Sequence, residues 1–166
     1  MSAIARRAGV VRATIYVHFP TREALLEAVT ERALAEVAAV IAAAEPDRGA
    51  PSDALARVVG ATWRTLGRYH ALVAFNTGAQ THEELHDRHG SVLGTLLPLI
   101  ERGQAAGDFR TDVPAAWHLA MLMALIHAAS AELHARRVPE AAAEAALVAT
   151  VRGAIASPGA RGTDTA

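Results

Sequence analysis

Residues 4–26 read Ile4-Ala5-Arg6-Arg7-Ala8-Gly9-Val10-Val11-Arg12-Ala13-Thr14-Ile15-Tyr16-Val17-His18-Phe19-Pro20-Thr21-Arg22-Glu23-Ala24-Leu25-Leu26. The stretch predicts a short helix over Ser2–Ala8, a turn at Gly9, and a second short helix over Arg12–His18 closed by Pro20. Gly9 supplies turn backbone that a side chain would strain. Ile4, Ala5, Ala8, Val10, Ile15 and Phe19 have the spacing to pack the two helices together. Arg12, Ala13, Thr14, Tyr16, Val17 and His18 are left to be divided between an outer face and the core.

Two short helices about a glycine turn, the second arginine-bearing at its start, form a helix-turn-helix pattern, whose second helix enters the DNA major groove. Charge agrees with this. The chain carries 16 basic and 17 acidic residues, yet residues 1–22 hold Arg6, Arg7, Arg12 and Arg22 with no acid. A basic first segment on a mildly acidic body points to an anionic partner at that end. Arginine pairs well with guanine in the groove, whereas Thr, Tyr and His more often hold phosphates.

The same stretch resembles the DNA-binding signature of the tetracycline-repressor (TetR/AcrR) family, roughly I-A-x-x-A-G-V-s-x-g-T-l-Y-x-H-F-x-s-K/R-E-x-L. Carried over by position, the resemblance implies that Arg12, Ala13 and Thr14 meet the DNA. Tyr16 and His18 fall at phosphates, and Arg22 at the start of the next helix. Two positions depart from the pattern. Val11 stands where Ser is usual and cannot cap the second helix, a loss worth about 1 kcal/mol. Ala13 replaces the usual Gly. The resemblance also implies a helix ahead of Ser2, so the expectation is a helix-turn-helix head lacking its first helix. Part of the Ile4, Ala8, Ile15 and Phe19 surface would then face water.

Outward from this head the chain reads as all-α. It has 40 alanines, all 16 of its basic residues are arginine, and aromatics make up 4%, a composition that favours closely packed helices. There is no cysteine, which excludes disulfides, thiolate zinc sites and a cysteine nucleophile. Thr21 can cap a long helix carrying Leu25, Leu26, Val29, Ala33, Val37, Val40 and Ile41. Glu45–Asp53 reads as the linker. Beyond it, Ser52 or Asp53 can cap a helix to about Tyr69, and a shorter one spans Ala71–Asn76. Thr81 with Glu84 forms a capping box for a helix to about Gln104. Pro114 and Pro139 open the last two helices, ending near Arg136 and Ala156. The expected division is a head with its connecting helix over 1–44, a ligand-binding and dimerisation bundle over 45–156, and a tail over 157–166. No apolar run reaches the roughly 18 residues of a membrane span, since His118 and His127 interrupt Ala115–Ala131. The expected location is the cytoplasm, without a membrane partner.

His82-Glu83-Glu84-Leu85-His86 matches H-E-x-x-H, in which two histidines one turn apart bind zinc and the glutamate activates water. Just after a capping residue, however, these acids are those that any helix N-terminus attracts. The expectation is therefore no metal, no cofactor and no catalytic residue, with a metal-dependent hydrolase as the remote alternative. Pro98 should kink its helix. The resemblance implies a cavity in the C-terminal bundle, and Trp63, Tyr69, Phe75, Leu96, Trp117, Met121 and Leu125 could line it. Arg64 and Arg68 are expected to be solvated. Small residues in the last two helices suit a tight helix seam, where the resemblance places a twofold interface. The combined expectation is a homodimeric, effector-responsive repressor on a palindromic operator. The alternative is the same small-molecule-binding dimer without competent heads.

Overall fold

The computed structural model describes residues 1–69, 72 and 89–158, the side chain of Ser91 apart. Its helices are α1 (Ser2–Ala8), α2 (Arg12–His18), α3 (Arg22–Ala43), α4 (Pro51–Leu66), α5 (Gly90–Ala105), α6 (Ala115–His134) and α7 (Glu140–Ile155), with a 3-10 turn over Gly67–Tyr69. Among the described residues the extended pairing is a single bridge between Phe109 and Ala156. The all-α class predicted from periodicity is what the chain adopts.

Two compact units divide the chain, Met1–Ala35 and Glu36–Ala166, with α3 belonging to both. In the first, Gly9 ends α1 in the left-handed region at φ 68°. Its N–H and that of Val10 turn back to the carbonyls of Arg6 and Ala5, the paired closure that only a residue tolerant of positive φ permits cheaply. Thr21 Oγ1 accepts the Ala24 N–H at 3.0 Å and caps α3, as expected from its position. Ala5 and Ile15 are buried, whereas Ile4 and Val10 remain 44% and 41% exposed. Of the six residues expected to pack α1 on α2, Ile4, Ala8 and Val10 thus lie largely outside, because two helices of two turns each enclose little volume.

In the second unit α4 packs against α5 and α7, and α6 against the same two helices, so the four close into a bundle. Buried positions follow helical periodicity: Ala54, Leu55, Val58, Val59, Thr62 and Trp63 on α4, and Ala143, Leu147, Val151 and Ile155 on α7. Helix α4 begins before the cap expected at Ser52 or Asp53, because Pro51 takes the first position, where a missing N–H costs nothing. Helix α5 begins at Gly90. The capping box at Thr81 and Glu84 and, residue 72 apart, the helix expected over 71–76 lie outside the described residues. Pro98 sits inside α5 on its exposed side, so the carbonyl it leaves unpaired can meet water.

Between α3 and α4 the chain runs through residues 44–50, and two arginines hold it. Arg57 on α4 donates to the carbonyls of Ala44, Glu45 and Arg48 at 2.8–3.2 Å. Arg102 on α5 donates to those of Pro46, Asp47 and Gly49 at 2.7–2.9 Å. After α5, Phe109 folds back over Gly103. Backbone bonds from Arg110 to Ile155 and from Ser157 to Asp108, each 2.9 Å, then join this turn to the end of α7.

One expectation is corrected by α6. Its 20 residues reach a mean hydropathy of 1.3 over 18 residues, long and apolar enough by length and composition to cross a membrane, although only 28% of that window is buried. Two histidines do not offset so many Ala, Leu and Met residues. Moreover, both bond to backbone carbonyls, His118 to Arg110 and His127 to Met123.

Candidate nucleic-acid interface

Helix α2 buries one residue, Ile15, and exposes the others. A helix advances about 100° per residue, so Ala13 and Val17 lie opposite Ile15, with Arg12 and Tyr16 on one flank and Thr14 and His18 on the other. Val11 precedes the helix as its N-cap without a side-chain capping bond, as expected from its lack of an acceptor. Arg12 Nη2 donates to the Tyr16 hydroxyl at 3.0 Å, and the guanidinium lies 5.2 Å from the centre of the Tyr16 ring. Stacking of this kind holds an arginine head in place at little cost in entropy. Arg22 opens α3, and Arg6 and Arg7 occupy the last turn of α1.

Residues 1–22 therefore form an acid-free surface with an outward helix at its centre. Such a surface attracts polyanions through many shallow contacts. Of the residues singled out from sequence, Arg12, Ala13, Thr14, Tyr16 and His18 share this exposed helix. Val17, which the sequence left undivided between outer face and core and without a role, is the most exposed large apolar side chain of the first unit at 78%. Its position opposite Ile15 was the available signal.

The residues expected to line a cavity divide differently. Trp63 and Leu96 are buried in the bundle, Met121 and Leu125 pack at its margin, and Tyr69 is half-buried on the 3-10 turn. Trp117 does not join them and is 62% exposed on α6. Phe75 lies outside the described residues. Arg64 pairs with Glu144, and Arg68 with Glu36 at 2.8 Å, both guanidinium groups largely exposed. His118 is buried; its Nε2 donates to the Arg110 carbonyl at 3.0 Å, and its Nδ1 has no partner among the described residues. His82, Glu83 and His86 also lie outside the described residues. Within those described, no cluster of three or more His, Asp or Glu side chains is placed to hold a metal ion.

Residues 1–29 match the model of bacterial regulatory proteins of the tetR family. The first helices thus resemble those of the tetR family. Over 107 residues it is 32% identical to the HTH-type transcriptional repressor NicS of Pseudomonas putida, an alignment covering 60% of this chain and 50% of that repressor. The chain thus matches about half the length of this curated relative. A TetR-family transcription regulator assigned to Shewanella shares 27% identity at a TM-score of 0.63, over 93% of this chain and 86% of that one. The TetR-like regulator LfrR of Mycobacterium smegmatis, solved with proflavine, superposes at a TM-score of 0.70 with 22% identity, over 94% and 85% of the two chains. The matched segment takes in α1, α2 and the first turns of α3, the part whose surface is basic. The bundle beyond it is alike in fold.

Proposed function

We propose that the chain is a DNA-binding transcriptional regulator, acting as a repressor in the cytoplasm, that grips a palindromic operator as a homodimer. The observation that carries this reading is the acid-free first segment with α2 exposed at its centre. Arg12, Ala13 and Thr14 would address base edges, Tyr16 and His18 phosphates, and Arg22 the backbone beside the next helix. The functional head in this reading is residues 1–44, and the effector and dimer functions belong to 45–156, followed by a tail over 157–166.

A dimer is supported by the apolar, largely unburied face of α6 and the adjoining alanines of α7, Ala141, Ala142, Ala145, Ala146 and Ala149. Exposed Trp117 belongs to that face rather than to an inner cavity. Two heads on a twofold axis can reach successive major-groove turns about 34 Å apart. A small-molecule effector would enter the bundle near Trp63, Tyr69, Leu96, Met121 and Leu125, with Phe75 as a further lining residue. The buried hydroxyls of Thr62 and Ser130, without partners among the described residues, support an effector that carries polar groups. Effector and DNA affinities would then be coupled reciprocally.

The test is a mobility-shift titration on the intergenic DNA flanking the gene at several salt concentrations. Binding that weakens steeply with salt is expected. Salt-insensitive binding, or none, would leave a dimeric sensor without DNA-reading heads.

A further inference from the structure

We infer that Val17, with Ala13 one turn before it, reads thymine methyl groups in the major groove. This rests on the DNA-binding reading above and specifies what α2 recognises.

Ile15 is the residue that α2 buries, and at about 100° per residue the direction opposite it falls between Ala13 and Val17. The centre of the outward face is thus apolar, while its polar residues sit on the flanks. On one flank, Arg12 is drawn onto Tyr16 by its hydrogen bond and ring contact. Val17 is 78% exposed, so its isopropyl group contributes little to packing within the chain. An isolated exposed valine is ordinary on a protein surface. Here it occupies the middle of the one helix face that an acid-free, four-arginine segment presents to a polyanion.

The major groove offers one apolar feature, the C5 methyl of thymine; guanine, adenine and cytosine present only donors and acceptors there. A valine at the centre of the face matches thymine and leaves the polar edges of the other bases without partners, which adds discrimination. Ala13, smaller and on the same row, admits the helix closely and offers a second methyl contact.

The test starts with the 166-residue chain and a pool of randomised duplexes. The duplexes retained should share a thymine at one fixed position in each half-site. Replacing that thymine with deoxyuridine removes the methyl group and nothing else, and should weaken binding about four-fold per half-site, the worth of one buried methyl. In Val17→Ala the deoxyuridine penalty should vanish while the melting temperature stays unchanged. Selection with Val17→Asn should replace the thymine preference at that position. If wild type is indifferent to deoxyuridine, or if Val17→Ala keeps the penalty, the assignment is wrong although DNA binding stands. If no duplex is retained at any salt concentration, both readings fall.

Discussion

A Cβ placed on Gly103 would lie 2.0 Å from Cδ2 of Phe109 and 2.7 Å from its Cγ, so the aromatic ring occupies the space that any larger residue at 103 would need. Phe109 is fully buried and its N–H donates to the Gly103 carbonyl at 3.0 Å. The ring cannot swing away without uncovering the core.

Gly103→Ala should therefore destabilise the chain by about 1–3 kcal/mol through overpacking, despite the better helix propensity of alanine. Urea unfolding measures this directly. Adding Phe109→Leu should recover part of the loss, making the pair less costly than the sum of the singles. Additive losses would place the damage elsewhere.

Arg57 and Arg102 clasp the connection between α3 and α4 from two helices. Lysine carries the charge but not the planar fork that lets one side chain serve several carbonyls. Arg102→Lys should lower stability by about 1–2 kcal/mol, close to the effect of Arg102→Ala. Proteolysis at residues 46–49 should accelerate in both. Full stability in Arg102→Lys would mean that charge alone suffices.

The Arg110 guanidinium holds the Asp112 carboxyl below its ordinary value of 3.8, chiefly by hydrogen bonding, and Arg137 does the same to Glu132, whose ordinary value is 4.5. A lowered carboxyl pKa means that the folded chain binds fewer protons than the unfolded one. The contribution is then fully present above the unfolded value and is lost as pH falls through the folded one. Carbon-detected NMR titration should find both midpoints depressed. Arg110→Ala and Arg137→Ala should each raise the midpoint of their own partner only. Both pairs are exposed, so neutral-pH melting should change little.

Tyr16→Phe removes the hydroxyl that accepts from Arg12 but keeps the ring beneath the guanidinium. Stability should stay within about 0.5 kcal/mol, as for most exposed substitutions. Operator affinity should fall several-fold, because Arg12 is no longer directed. Tyr16→Ala, which loses the ring as well, should fall further. Equal affinity in all three proteins would remove Tyr16 from the interface.

Ala128 lies on the exposed side of α6. In the dimer proposed above, Ala128→Glu should leave monomers in light scattering and abolish tight operator binding, with helicity retained. Fluorescence offers an independent check. Of the two tryptophans, Trp63 is buried and Trp117 exposed, so iodide quenching should rise in the variant as Trp117 is uncovered. Unchanged mass and quenching would move the interface away from α6.

Much of this was legible in the sequence, because local signals govern these elements. Gly9 and Pro20 bracket α2, Thr21 caps α3, and Pro139 opens α7, each acting on backbone within a few residues of itself. The exposed helix of the candidate interface followed from the same signals. What escaped prediction depends on distant partners. Nothing near Trp117 in sequence tells whether it faces inward, since Ala116, Trp117 and His118 differ only in where α5 and α7 lie. The inward turn of His118 and the outward one of Trp117 are decided by packing. The clasp of Arg57 and Arg102 was invisible for the same reason, since its acceptors are carbonyls common to every residue.

The backbone bonds from Arg110 to Ile155 and from Ser157 to Asp108 also bear on how the chain is made. At about 5–20 residues per second, a ribosome takes seconds to travel from Phe109 to Ser157. During that interval α4 and α5, joined by α6 as it is made, lack the backbone at and just beyond the end of α7 that secures the Phe109 turn. The second unit can close only after nearly all of it has been translated, whereas α1 and α2 are complete long before. A ribosome that stalls or stops within α7 would release a chain with finished head helices and an open apolar bundle, a natural substrate for chaperones and proteases.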